Sequence, residues 1–249
     1  RYRIRCLYYL MTENWQKCDD EYSALVRQFP GDNIAHNNLA VCFSKLRNLA
    51  KAAEEARRDY EIHPNAIAAA NVSLLTSYAS DFPGGEREAR HVREAYPSYE
   101  FGYLALAFAQ LGQGQASQAE DTYRALEKAS PLGVILAGWG LSDLASYQGR
   151  FSEAAKVLQQ GAAADLASKD SDDAAEKLVT LATNQLWLGR RPASISTAEK
   201  ALANSQSVKV RFLAGRVFAE AGQGSKAEKL AASLSSELRV EPQAYGKII

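Results

Sequence analysis

Apolar residues in this chain recur at steps of three and four. Leu39, Phe43 and Leu46 form one such stripe, and after a short polar break Ala52, Ala56 and Tyr60 form another. Leu104, Ala107 and Leu111, followed by Ala119, Tyr123 and Leu126, repeat the arrangement further along. Side chains three and four positions apart share one face of a helix, so each stripe predicts an amphipathic helix with a buried side. The stripes come in twos. That predicts pairs of helices closing their apolar faces on each other, with no strands.

The pairing has a period. Prolines stand at Pro30, Pro64, Pro97 and Pro131, spaced 34, 33 and 34 residues apart. Each follows a helix-favouring stretch such as Ala50 to Ile62, where a residue lacking an N–H ends the helix. Small residues keep a second register at Ala52, Gly85, Ala119, Ala154, Ser194 and Ala227, with gaps of 33, 34, 35, 40 and 33. A small side chain there lets two helices cross closely. Glycines keep a third, at Gly114, Gly149, Gly189 and Gly222, just before the later second helices. Glycine suits the left-handed backbone of a tight turn at a helix C-terminus.

These three registers resemble the tetratricopeptide-repeat family, whose unit of about 34 residues is two antiparallel helices. The resemblance implies an all-α fold, a right-handed superhelical solenoid of about seven helix-turn-helix units forming a single domain over 1–249. The units run approximately 1–31, 32–65, 66–98, 99–132, 133–166, 167–206 and 207–240, with 243–249 starting a further helix. Two departures stand out: Ser80 and Gly85 replace helix formers in the third unit, and the sixth carries about six additional residues around 167–173, an insertion expected to bend the stack. A narrower resemblance rests on the run Asp32 to Phe43, Asn71 and the turn Leu188-Gly189-Arg190-Arg191. It is similar to tetratricopeptide tails that follow the kinase domain in some bacterial eukaryote-like serine/threonine kinases. No glycine-rich phosphate loop, HRD-type loop or DFG is present, so kinase chemistry would lie outside this chain.

Composition narrows the partners. Lys plus Arg and Asp plus Glu are both 29 in 249 residues, so no single-signed field recruits nucleic acid or an anionic membrane. Protein partners are expected instead. The apolar stretch Ile4 to Met11 is interrupted by Arg5 and falls far short of the ~20 residues of a membrane-spanning helix. The chain opens at Arg1 without a methionine or a signal peptide, so it reads as a piece of something longer, with its compartment not encoded. Cys6, Cys18 and Cys42 are an odd count confined to the first fifth, which argues against a disulfide framework and for small buried apolar residues.

Candidate chemistry has a bland reading in each case. His36, His63 and His91 fall in different units with no spacing for a shared metal or acid–base pair, and His63 suits a helix C-terminus. The run Asp170-Ser171-Asp172-Asp173 lacks the glycine and final glutamate of a calcium loop, since Leu181 stands where the glutamate would fall. Ser171 or Asp172 is expected to cap the helix through Lys177 and Leu181. Gly112-Gln113-Gly114 and Gly222-Gln223-Gly224 join helices with no preceding strand, so they read as turns. The sequon Asn71-Val72-Ser73 falls within a helix, which disfavours glycosylation. No catalytic residue, metal site or cofactor is expected.

What the resemblance implies is a scaffold with a groove lined by first helices, which takes a peptide or helix. In many members asparagines on those helices bond the backbone of an extended ligand, and Asn38 and Asn71 match one unit apart. Around them Val41, Lys45, Leu74, Tyr78, Phe101 and Phe108 are expected, then Trp139, Tyr147, Trp187 and Phe212. Asn37, Val41 and Phe101 stand where chaperone co-factors of this family carry their carboxylate-clamping Lys, Arg and Asn. A hydrophobic or amphipathic peptide ligand is therefore expected, and not an acidic tail. An alternative is the sensory or substrate-recruiting region of a longer kinase.

Overall fold

The computed structural model describes residues 2–237 and 240–249. The helices are α1 (Tyr2–Met11), α2 (Trp15–Gln28), α3 (Asn33–Lys45), α4 (Leu49–Ile62), α5 (Ala66–Tyr78), α6 (Phe82–Ala95), α7 (Glu100–Gly112) and α8 (Ala116–Leu126). They continue as α9 (Pro131–Tyr147), α10 (Phe151–Ala167), α11 (Ser171–Trp187), α12 (Arg191–Asn204), α13 (Val208–Glu220), α14 (Gly224–Ser235) and α15 (Val240–Ile248). Fourteen of them make the seven pairs, and α15 begins three residues before the expected Gln243. The described residues contain no strand. The chain divides into two compact units, Arg1–Leu136 and Ala137–Ile249.

Several helix starts follow from short polar side chains that accept otherwise unpaired N–H groups. Asp32 caps α3 through Ala35 N at 3.2 Å, Asn65 caps α5 through Ala68 N at 3.0 Å, and Asp81 caps α6 through Gly84 N at 2.9 Å. The cap of α11 is Asp170, accepting from Asp173 N at 3.2 Å, and not Ser171 or Asp172, which already lie inside the helix. The expected capping is present, one residue before Ser171 and two before Asp172. Pro30, Pro64 and Pro97 lie just beyond α2, α4 and α6, whereas Pro131 is the first residue of α9. A missing N–H costs nothing in a first turn, so the same residue type serves at the opposite end of a helix there.

In the first unit the buried core runs through Cys6, Cys18, Tyr22, Leu25, Leu39, Cys42 and Phe43, then through Ala56, Val72, Val92, Ala105 and Leu106. Cys18 and Cys42 are joined by a disulfide linking α2 to α3, with their Cα atoms 5.8 Å apart, while Cys6 is a buried free thiol. The three are buried as expected, but two of them are cross-linked. An odd count does not exclude one bond when the packing of neighbouring helices sets two Cα atoms at disulfide distance. In the second unit the core gathers Ala175, Val179, Ala182, Ala198, Val210, Ala214, Val217 and Phe218.

Every member of the small-residue register is buried: Ala52, Ala119, Ala154 and Ser194 are fully covered, and Gly85 and Ala227 nearly so. Gly85 shows why. A Cβ there would collide with Ser77 Oγ and lie 2.9 Å from the Ser73 carbonyl, on the facing α5. Ser73 Oγ donates to the Gly85 carbonyl at 2.8 Å across the same crossing.

The turn glycines Gly114, Gly149, Gly189 and Gly222 all take φ between 72 and 76°. The first three pairs make the same turn with side chains present, at Glu13 (φ 56°), Arg47 (φ 62°) and Ser80 (φ 72°). A Cβ in this region crowds the following carbonyl by about 1–2 kcal/mol, part of which glycine forfeits through its freer unfolded chain. Arg47→Gly is thus expected to stabilise the protein by about 0.5–1 kcal/mol, read as a raised urea midpoint. A lowered midpoint would show that the exposed Arg47 side chain contributes more than its backbone costs.

Candidate functional site

Each unit presents a depression on the first helices of its pairs. In the first unit, α3 and α5 frame a hollow lined by Asn37, Ala40, Val41, Ser44, Lys45, Asn71, Leu74, Leu75 and Tyr78, with Ala56 of α4 at its floor. Five of the expected groove residues, Val41, Lys45, Asn71, Leu74 and Tyr78, are brought together here. Val41 and Tyr78 are exposed, and Tyr78 sets its ring edge-on to Phe108 of α7, centroids 5.1 Å apart, with Phe82 behind at 6.2 Å. Lys45 turns its ammonium toward the Trp15 ring, 5.5 Å from the centroid.

Asn38 and Asn71 are each the sixth residue of their helices, but their amides serve different neighbours. Asn71 Nδ2 donates to Asn37 Oδ1 at 3.2 Å, Asn37 Nδ2 to Asn38 Oδ1 at 3.3 Å, and Asn38 Nδ2 to Tyr22 Oη at 2.9 Å. The result is a ladder from α5 through α3 to α2. Asn38 faces a separate hollow with Tyr22, Leu25 and Ile34. Burial pushes the Tyr22 hydroxyl above its usual pKa, opposed by the bond from Asn38.

The second unit's depression is of another kind. It is lined by Asp143 and Ser146 of α9, Thr180, Thr183, Asn184, Leu186 and Trp187 of α11, and Leu213, Arg216, Val217 and Glu220 of α13. Trp187 is exposed and rests against Phe151 at 5.2 Å. The Asp143 side chain is open to the hollow, yet the surrounding atoms strip enough water from its carboxyl to raise its pKa, an effect the charge of Lys209 opposes. This wall is polar where apolar lining was expected, because the positions equivalent to Leu74 and Phe108 of the first unit carry Asp143, Thr183 and Arg216.

The tetratricopeptide-repeat family model matches residues 19–67, which take in most of α2 and all of α3 and α4. A tetratricopeptide repeat protein from Parabacteroides merdae superposes with a TM-score of 0.62 at 12% identity, over 99% of this chain and 96% of that one. A thermophilic TPR protein from Thermus thermophilus gives 0.57 at 18% identity, over 75% and 99%. A chain of the APC/C hetero-tetramer Cut9–Hcn1 gives 0.58 at 13% identity, over 97% of this chain and 47% of that one. This chain has the tetratricopeptide-repeat fold. No curated protein matches its sequence.

Within the tetratricopeptide-repeat frame the other expected residues scatter. Trp139 is half-buried between two ammonium groups, Lys177 Nζ at 5.4 Å and Lys209 Nζ at 5.6 Å from its ring, and does not line the hollow. The face of Phe212 is taken by Tyr245 of α15, stacked at 4.4 Å, so it is covered from within the chain. Tyr147 is almost wholly exposed, and Phe101 is exposed beside Tyr99. His36 is buried between Glu55 Oε2 at 2.5 Å and the Pro30 carbonyl at 3.0 Å, His63 meets Asn65 at 3.1 Å, and His91 meets Tyr60 at 3.4 Å. Among the described residues no three His, Cys, Asp or Glu side chains are grouped to hold a metal, and no helix is long and apolar enough to cross a membrane.

Two features lie outside the expected site residues. One is Asn37, which joins Asn71 in the first hollow; its 34-residue separation from Asn71 was the available signal. The other is the pair Lys177–Asp165, 2.5 Å apart and buried between the long helices α10 and α11. Gly161 makes room for it: a Cβ there would lie 2.9 Å from Lys177 Cδ.

Proposed function

We propose that this chain is a protein-interaction scaffold that holds a hydrophobic or amphipathic peptide on the first helices of the unit Arg1–Leu136. The observation that carries the reading is a set of apolar side chains left in water at matching helix positions. Ile34, Ile67 and Phe101 are the second residues of α3, α5 and α7, and are 61, 60 and 41% exposed. Val41, 37% exposed, and half-buried Leu74 match at the ninth, beside exposed Tyr78. Apolar side chains left open in register across successive helices mark a surface that a partner covers. Assembly with another protein, as in the Cut9–Hcn1 hetero-tetramer, is consistent with that use of the fold. The kinase-tail alternative rests on sequence resemblance alone.

The test is a selection of random peptides displayed on phage against the purified chain. Enriched peptides should carry aliphatic or aromatic residues. Val41→Glu should weaken their binding by about 1–3 kcal/mol, because a charge would face apolar ligand atoms, while the melting temperature stays close to that of the parent. Enrichment of acidic C-termini, or affinity unmoved by Val41→Glu, would refute the reading.

A further inference from the structure

The hollow of the second unit has a chemistry of its own, and its protons are already committed. Thr180 Oγ1 donates to the Glu176 carbonyl at 2.9 Å and Thr183 Oγ1 to the Val179 carbonyl at 3.1 Å. Ser146 Oγ lies 2.8 Å from the Ser142 carbonyl and 2.9 Å from Asn184 Oδ1, so its single proton is engaged either way. Asn184 Nδ2 donates to the Thr180 carbonyl at 3.1 Å. A hydroxyl that has given its proton to its own helix turns only lone pairs outward. The charges add to the same effect. Asp143 makes no hydrogen bond or contact ion pair among the described residues, and the wall's cation, Arg216, lies 3.4 Å from Glu220. Asp143 and Glu220 against Arg216 leave one negative charge in excess. Trp187 closes one side with an exposed indole.

A wall of acceptors with a net negative charge and an aromatic face fits a ligand that brings many N–H donors on a flat cation. The space is ≈ 250 Å³, below the range of about 300–1,000 Å³ usual for cofactor-sized molecules and suited to one long side chain. The geometry points to this hollow as the receptor for an arginine side chain of a bound peptide, the guanidinium paired with Asp143, bonded by Thr180 and Thr183 oxygens, and set against the Trp187 ring. A guanidinium offers five donors in a planar fork and stacks on aromatic faces, where an ammonium is a compact, strongly hydrated point. The inference rests on the scaffold reading above but on different residues.

The test follows the Trp187 indole N–H by NMR, assigned with Trp187→Phe, in the full chain. The probe is an acetylated, amidated pentapeptide with a central arginine between alanines. It should shift the signal saturably, and Asp143→Asn should weaken binding about tenfold or more, the loss of a charge-assisted pair. Thr183→Val, which keeps the shape and removes one acceptor, should weaken it severalfold. The same peptide with citrulline, flat but neutral, should not bind. Equal binding by the citrulline peptide would overturn the inference on the unaltered protein, whatever the variants do. Equal affinity for arginine amide alone would assign the hollow to a free guanidinium compound and overturn the peptide assignment. Val41→Glu should leave the arginine peptide unaffected, which separates failure here from failure of the first groove.

Discussion

Lys177→Met is expected to lower the stability of the α10–α11 region by about 3–5 kcal/mol, more than its small change in side-chain volume suggests. Lys177 and Asp165 are 4 and 6% exposed, and the ammonium and carboxylate lie 2.5 Å apart. Removing the cation leaves a carboxylate in a site that water does not reach, and an unpaired buried charge is among the most costly single defects a fold can carry. Lys209 does not replace it, because its ammonium is already bound to Glu176 at 2.6 Å. Removing both charges is a different experiment. Lys177→Met with Asp165→Leu should recover most or all of the loss, since apolar replacements of a buried pair are often neutral or stabilising. Repeat arrays need not unfold in one step, so hydrogen exchange of α10 and α11 amides is the measure of choice. Unchanged protection in the single variant would mean that Asp165 finds water or another partner.

Ala119→Arg and Ala154→Arg should be comparably severe. Both alanines are fully covered where a second helix of one pair meets its neighbours. Overpacking such a site costs about 1–3 kcal/mol, and the guanidinium must in addition stay charged among methyl groups, for a total above ~3 kcal/mol. Lys156→Ala, on the exposed face of the same α10, should stay within about 0.5 kcal/mol. Thermal melts that fail to separate Ala154→Arg from Lys156→Ala would displace the small-residue register from the helix crossings.

That register was readable from spacing because a close helix crossing constrains one side chain by size alone, and size is visible in the sequence. Turn glycines were readable for a similar reason, yet only in the later pairs. Glu13, Arg47 and Ser80 hold the same left-handed backbone without glycine, so residue type concealed the turns of the first three pairs. The sites were less legible. Asn37 and Asn38 differ by one position, and one step on a helix turns a side chain by about 100°, so superposing repeats named one of them where the α3–α5 hollow uses the other. Phe212 has the spacing of a lining residue, but the face it offers depends on Tyr245 of the following helix, a contact that spacing within one unit does not name. The additional residues near 167–173 lengthen α10 and α11 to 17 residues each, and what they contribute is the room in which Lys177 and Asp165 meet.

The Cys18–Cys42 bond bears on the order in which such an array comes apart. Where each helix pair leans only on its neighbours, unravelling begins at a free edge and travels inward one junction at a time. The bond ties α2 to α3, so it fastens the first of those junctions. Oxidised, α2 cannot part from α3 while the rest stands, and a local opening cannot separate the two pairs at that point. Reduced, that junction opens like any other, and the redox state of two sulfur atoms sets whether the helices on its two sides come apart separately or together.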